Sequence, residues 1–263
     1  MTGEFVIGID LAAEPAKTAL ARIQWAPSGA VVRDLVVGID DDTALSELTS
    51  VEKAGIDSPL GWPDSFTTFV TQHRAGSVAN PGYAQDKHGR RQVLWRLTDE
   101  VVRVRTGLVP LSVAADRIAH VALRCAVLQA RLAEAGRPVD RTGAGALVEV
   151  YPAGSLRAWG LPYRRYKGTA GAAALNTAVS KLLDKAPWLD LGEFEKRCRT
   201  RDDAFDAVIA ALTARAAAMG STLRPEPEQL DQARAEGWIA VPTSPLQLLE
   251  PHAIAHQLAL SDE

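Results

Sequence analysis

The chain has 263 residues, of which 47 % are hydrophobic and 23 % charged, the balance of a soluble globular protein with room for one large domain and a real core. A net charge of −3 excludes attraction of nucleic acid through bulk charge, so an anionic substrate has to meet a local basic patch or a metal. Two distant cysteines, Cys125 and Cys198, form neither a disulfide framework nor a zinc-ligand spacing, which fits a reducing cytoplasm.

The opening MTGEFVIGID lacks the basic and apolar regions of a signal peptide, and no window has the unbroken apolar length of a membrane span. Abundant Ala and a preference for Arg over Lys fit a GC-rich bacterial genome. Strand-like runs cover residues 4–11, 17–25 and 30–37, and the links AEPA and APSG are short enough for an antiparallel meander. DDTALSELTSVEKA has helical spacing at Leu45 and Leu48 behind acidic residues and Thr43. AGID is a brief strand that stops at Asp57, before the loop SPLGWP. The order β-β-β-α-β is therefore expected.

Residues 61–145 predict a mainly helical insertion between strands four and five, because no flexible linker brackets them. Helices are expected at DSFTTFVTQHR, QVLWRLTDEVVRVR and SVAADRIAHVALRCAVLQARLAEAG, with a basic loop at DKHGRRQ. In the last helix Ile118, Val121, Ala122, Cys125, Leu128 and Leu132 share a face, and Gly136 closes it. ALVEVYPA reads as a strand ended by Pro152. A partly helical stretch follows to about residue 200, and TRDDAFDAVIAALTARAAAMG is an Ala-rich helix with an apolar stripe. The chain thus reads as one α/β domain over 1–263, with a core of about 4–60 and 146–220 and a Pro-rich tail over 221–263. WIAVP in that tail is a last strand candidate.

Acidic residues fall at telling places. Asp10 ends the first strand and Asp57 the fourth, so neighbouring strands would bring the two carboxylates together at one sheet edge. Alone, Asp57 before Ser58-Pro59 also suits an ordinary turn. Glu149 lies in an apolar strand, where an ionised carboxylate is costly without a buried cation or a metal. Asp202 reads as an N-cap, whereas Asp203 and Asp206, three apart on the last long helix, share a face that could cross the sheet over Asp10 and Asp57. Carboxylates brought that close repel unless cations sit between them. Hard ions such as Mg²⁺ or Mn²⁺ take these ligands, and two of them support phosphodiester hydrolysis.

This pattern resembles the RNase-H-like superfamily, whose fold is a mixed five-stranded sheet flanked by helices. Within it, DAFDA (Asp203 to Ala207) is similar to the final-helix motif of RuvC-type Holliday-junction resolvases and their YqgF relatives. The blocks GIDLA, GIDSPLG, RLTDE, VEVYPA and DDAFDAVIAALTA together resemble the domain-of-unknown-function family 429, described as predicted RNase-H-like nucleases, over residues 4–218. The resemblance implies that Asp10, Asp57, Asp203 and Asp206 are catalytic metal ligands for Mg²⁺ or Mn²⁺, with Glu149 an added acidic member. The resolvases usually place Glu after strand four; Asp57 is one methylene shorter, a reach Glu149 could supply.

KHGRRQVLWR, with Arg91, Arg96 and Trp95, and YRRYKG, with Lys167, interleave cations and rings as single-stranded nucleic acid or nucleotides require, although either also suits a solvated surface loop. In RLTDE, Arg96 and Asp99 have the spacing of an intrahelical pair; the resemblance implies that both face the cleft. The leading expectation is a metal-dependent nuclease acting on nucleic acid of unspecified type, with Lys167 as a charge clamp. It has no membrane partner, and its oligomeric state is open, a dimer included. An ATP-binding protein of the actin and sugar-kinase group is the second reading, weakened by LAAEPAKT after Asp10, which has no phosphate-cradling glycine. An inactive RNase-H-like binding protein is the third.

Overall fold

The β-forming runs at the start become β1 (Glu4–Asp10), β2 (Ala19–Ala26) and β3 (Gly29–Val37), paired as an antiparallel meander. The helix α1 (Asp41–Ser50), capped by Asp40 accepting the Thr43 N–H at 2.8 Å, returns the chain to β4 (Lys53–Asp57), parallel to β1. The computed structural model describes residues 4–78 and 86–251; residues 252–263 of the tail lie outside the described residues.

The insertion holds α2 (Asp64–Arg74), α3 (Lys87–Leu94), α4 (Leu97–Thr106) and α5 (Ala119–Glu134). Three sequence expectations change here. DKHGRRQ is helix rather than loop, because the Asp86 carboxylate accepts the Gly89 N–H at 2.7 Å and nucleates α3. QVLWRLTDEVVRVR is two helices, since Asp99 accepts the Arg96 N–H at 3.0 Å and holds Arg96 extended between them. The last helix starts at Ala119 instead of Ser112, whose hydroxyl takes the Ala114 and Ala115 amides and tightens residues 112–118 into turns.

The core resumes with β5 (Leu147–Glu149), α6 (Pro152–Ala158), α7 (Ala172–Lys185), β6 (Leu189–Asp190), α8 (Glu195–Thr200), α9 (Asp202–Ala218) and α10 (Leu230–Glu236). The sheet has six strands in the order β5-β4-β1-β2-β3-β6, one more than the sequence suggests. The extra strand is two residues long, added to the edge of β3 through Ala30 and Val31. From the WIAVP segment, Ile239 makes an isolated bridge to Glu149 and extends the opposite edge.

Alternation along the strands sends Ile7, Ile9, Ala54 and Ile56 into one core with α1 and α5. Val6 and Val150 point to the other face, where α9 lies. From Ala204 to Ala217, α9 is buried around its whole circumference rather than along one stripe. What lets it sit so low is a pair of glycines. A Cβ at Gly8 would lie 2.1 Å from the Ala207 carbonyl oxygen, and one at Gly55 would lie 2.4 Å from that of Ala210. Both belong to the same tripeptide, Gly-Ile-Asp, which occurs in β1 and in β4 in matched register: Gly8 beside Gly55 and Asp10 beside Asp57. Glycine removes the side chain that would hold the helix off; two residues on, aspartate points to the same face.

Gly55→Ala is accordingly expected to destabilise the fold by at least about 3 kcal/mol through overpacking against helix backbone, measured by chemical denaturation. A loss below about 1 kcal/mol would mean that α9 can lift off the sheet at little expense.

Candidate metal centre

The side chains of Asp10, Asp57 and Asp206 converge at the carboxyl ends of β1 and β4: one oxygen from each lies within 4.8 Å of the other two. Asp10 and Asp57 are partly buried, and Asp206 is fully so. A loop before α7 closes the site. Its Tyr166 hydroxyl donates to Asp206 Oδ1 at 2.8 Å, and Lys167 Nζ stands 2.6 Å from Asp206 Oδ2. The Tyr166 ring is buried edge-on against Phe205, at a centroid distance of 5.9 Å, which fixes the loop from below.

The electrostatics are those of a site short of positive charge. Burial, followed by the Asp206 and Asp57 charges, raises Asp10 well above the ordinary carboxylate range. Burial also raises Asp57, to about 6 despite Lys167, and raises Asp206 against the pull of the same ammonium. Lys167 is raised in turn, chiefly by Asp206. Burial and the Asp206 charge hold the Tyr166 hydroxyl in its protonated, donating form. One lysine, its side chain 56 % exposed, thus faces three carboxylates. The donor set is all oxygen, which suits Mg²⁺ or Mn²⁺ and not a thiolate-loving metal. Asp206 Oδ2, buried and accepting no well-aligned hydrogen bond, meets only that ammonium and is a fitting ligand atom.

A family model described as protein of unknown function, DUF429, matches residues 8–230, a span that includes the three aspartates and Lys167. The chain belongs to the DUF429 family. No curated protein and no solved structure matches it.

Of the other acidic residues grouped with the cluster on sequence grounds in this DUF429 chain, neither Glu149, which lines the same cleft as Asp57, nor Asp203 joins the three converging carboxylates. Glu149 pairs in register with Ile56, which sends its side chain to the face opposite Asp57. There its carboxylate is gripped by Arg96, Nη2 to Oε1 at 2.6 Å and Nη1 to Oε2 at 2.8 Å, and accepts the Leu60 N–H at 2.9 Å. The longer reach considered for Glu149 is therefore committed elsewhere; Asp57 itself reaches the cluster. Asp203 turns back to Arg201, with an Nη2–Oδ2 distance of 2.5 Å, and to the Ala204 N–H. Asp202 is not an N-cap: Arg201 occupies that position, and Asp202 lies in the first turn, where the helix dipole favours it.

Arg96 is 2 % exposed, and all five of its N–H groups are taken: by Glu149 twice, by Asp99 twice and by the Glu236 carbonyl. No donor remains for a phosphate. The two carboxylates outweigh burial and raise its already high pKa. Arg91 bonds to Glu100 and lies over the Trp95 ring, in a groove separate from the carboxylates. Only Lys167, of the four residues assigned to substrate on sequence grounds, touches the cluster. Nothing in the YRRYKG pattern singles out Tyr166 as the group that holds Asp206.

These shifts set the pH behaviour of the metal-free protein. The three aspartates have folded pKa values above the ordinary 3.8, so the folded chain takes up protons more readily than the unfolded chain. Their stabilising contribution is complete below the ordinary value and fades as pH rises through the folded values, about 6 for Asp57. The melting temperature in chelator is expected to rise between about pH 7.5 and about pH 5.5, and Mn²⁺ to raise it by more at the higher pH. Equal Mn²⁺ shifts at both pH values in scanning fluorimetry would mean that the aspartates do not bind the ion.

Proposed function

We propose that this DUF429 protein is a metal-dependent nuclease that hydrolyses phosphodiester bonds through an RNase-H-like site. The observation that carries the reading is the convergence of Asp10, Asp57 and Asp206 from three elements, with carboxylate oxygens within 4.8 Å of one another. The adjacency of the first and fourth strands in a mixed sheet, with a carboxyl-terminal helix crossing it, supports the RNase-H-like assignment.

Asp10, Asp57 and Asp206 would hold Mg²⁺ or Mn²⁺, which when bound supplies Lewis acidity for attack of water on phosphorus. Asp206 is held by Tyr166, whose hydroxyl occupies Oδ1 and leaves Oδ2 with only the Lys167 ammonium beside it. Lys167 keeps the carboxylates tolerable in the metal-free state. With its long stem half in water, it can turn its ammonium to a phosphate oxygen once the carboxylates are otherwise neutralised. The ATP-binding reading is weaker, because the Ala12 N–H in the turn after β1 is bonded to Thr18 Oγ1 at 3.3 Å, not free to cradle phosphate.

The test is a panel of labelled single-stranded, duplex and branched DNA and RNA with Mn²⁺ or Mg²⁺, and Asp10→Asn as control. Cleavage by the wild type and none by the variant is expected. Failure of Mn²⁺ to raise the melting temperature of the wild type would favour an inactive binding protein with the same fold.

A further inference from the structure

We propose that the cleft beside the carboxylates receives one unpaired nucleotide of a single-stranded nucleic acid. The inference rests on the nuclease reading for the role of its neighbour, and on the cleft itself for its ligand. The cleft has a volume of about 380 Å³ and opens beside Asp57. The loop before α7 lines it with Arg165 and Lys167, and the insertion with Leu111, Ile118 and Arg117; Tyr151 and the paired Arg96 and Glu149 line it as well.

Two observations separate this from an ordinary surface hollow. The guanidinium groups of Arg117 and Arg165 have no ion pair, hydrogen bond or ring contact among the described residues, whereas Arg91, Arg96, Arg124 and Arg201 are all committed to carboxylates. Arg165 also has φ = 58°, the one positive φ outside glycine among the described residues. A left-handed arginine is disfavoured by its Cβ, and the surrounding contacts have to hold it there. Those contacts are the two residues that follow, Tyr166 and Lys167, both fastened to Asp206. Arg165 is thereby held at the cleft next to the carboxylates.

The walls suit a ligand with a flat apolar part and a phosphate. Leu111, 46 % exposed, and the Tyr151 ring offer surfaces to a base face, and Arg117 and Arg165 offer unspent donors to the phosphates on either side. A paired base keeps its faces stacked inside the duplex and its edge bonded to its partner, so it cannot enter. An unpaired one can. A cleft of about 380 Å³ has room for a single nucleotide and not for a helix of two strands.

The test is binding of the wild-type protein in chelator, where no metal-dependent cleavage occurs, read by fluorescence anisotropy. The probes are fluorescein-labelled oligothymidine and oligouridine, a mixed-sequence duplex, and thymidine and uridine monophosphates as competitors. The single strands are expected to bind at least about tenfold more tightly than the duplex and the monophosphates. Arg165→Gly, which removes the cation while suiting the backbone, and Arg117→Ala are each expected to weaken single-strand binding about three- to tenfold with unchanged melting temperatures. Duplex binding equal to single-strand binding, monophosphates binding as tightly as the strands, or variants that bind like the wild type would each overturn the proposal. The oligothymidine and oligouridine arms distinguish DNA from RNA. A protein that binds in this way but cuts nothing with Mn²⁺ would retain the cleft proposal and remove the nuclease reading; one that cuts but prefers duplex would do the reverse.

Discussion

Replacing Asp206 by asparagine is expected to lower Mn²⁺-dependent cleavage at least about 1,000-fold, a loss of about 4 kcal/mol in transition-state stabilisation. The same change should leave the metal-free protein as stable as the wild type or more so. Asparagine keeps the shape and an oxygen to accept the Tyr166 hydroxyl, and its amide N–H groups then face Lys167, whose half-exposed ammonium has to turn toward Asp10 and Asp57. What disappears is one of three carboxylates that burial and mutual repulsion already disfavour in ionised form. Lys167 retains Asp10 and Asp57 as neighbours. Function and stability should therefore move in opposite directions, as they do where a site is held in a strained electrostatic state for its ligand. Steady-state cleavage together with denaturation in chelator checks both halves. Activity within about tenfold of wild type would remove Asp206 from the ligand set.

Arg96→Met is expected to destabilise the protein by about 3–5 kcal/mol, the usual consequence of stranding buried carboxylates by removing their cation. Glu149 and Asp99, 2 % and 0 % exposed, would lose their bidentate partner, and the effect would spread. Glu149 also holds the Leu60 amide where the chain leaves the sheet, and Gly237 packs so closely that a Cβ would lie 2.9 Å from Glu149 Oε2. Adding Glu149→Gln to Arg96→Met should cost less than the sum of the two single changes, because each leaves the other's partner exposed to the same deficit. The temperature shift produced by Mn²⁺ should persist in any of these variants that folds. Urea denaturation of the four proteins measures the coupling, and simple additivity would show that Arg96 and Glu149 act independently.

Much of this architecture was legible from local patterns. The meander of three strands, the helical insertion and the Ala-rich helix α9 all follow from runs of β-formers, 3–4 spacing and turn residues. Asp10 and Asp57 could be paired because each ends its strand, and register then brings them side by side. Glu149 misled because a single sequence does not tell which face of a three-residue strand is which; its pairing with Ile56 decides that. Asp203 misled for a different reason. Its helix position was compatible with the site, but Arg201 two residues earlier captured the carboxylate. The sixth strand was too short to show periodicity at all. Gly-Ile-Asp occurs at residues 8–10, 38–40 and 55–57, and helix backbone closes on Gly8 and Gly55 but not on Gly38, so the tripeptide marks a backbone approach only where it lies within a strand.

That repeated tripeptide bears on how the site would handle its ion. Because helix backbone rests directly on strand backbone, the main-chain positions from which Asp206, Asp10 and Asp57 project are set by hard contact instead of by side chains able to repack. Such a cage has little freedom to contract around a smaller cation or expand around a larger one. Discrimination among divalent ions should then follow ionic radius steeply, with Ca²⁺ a poor substitute for Mg²⁺.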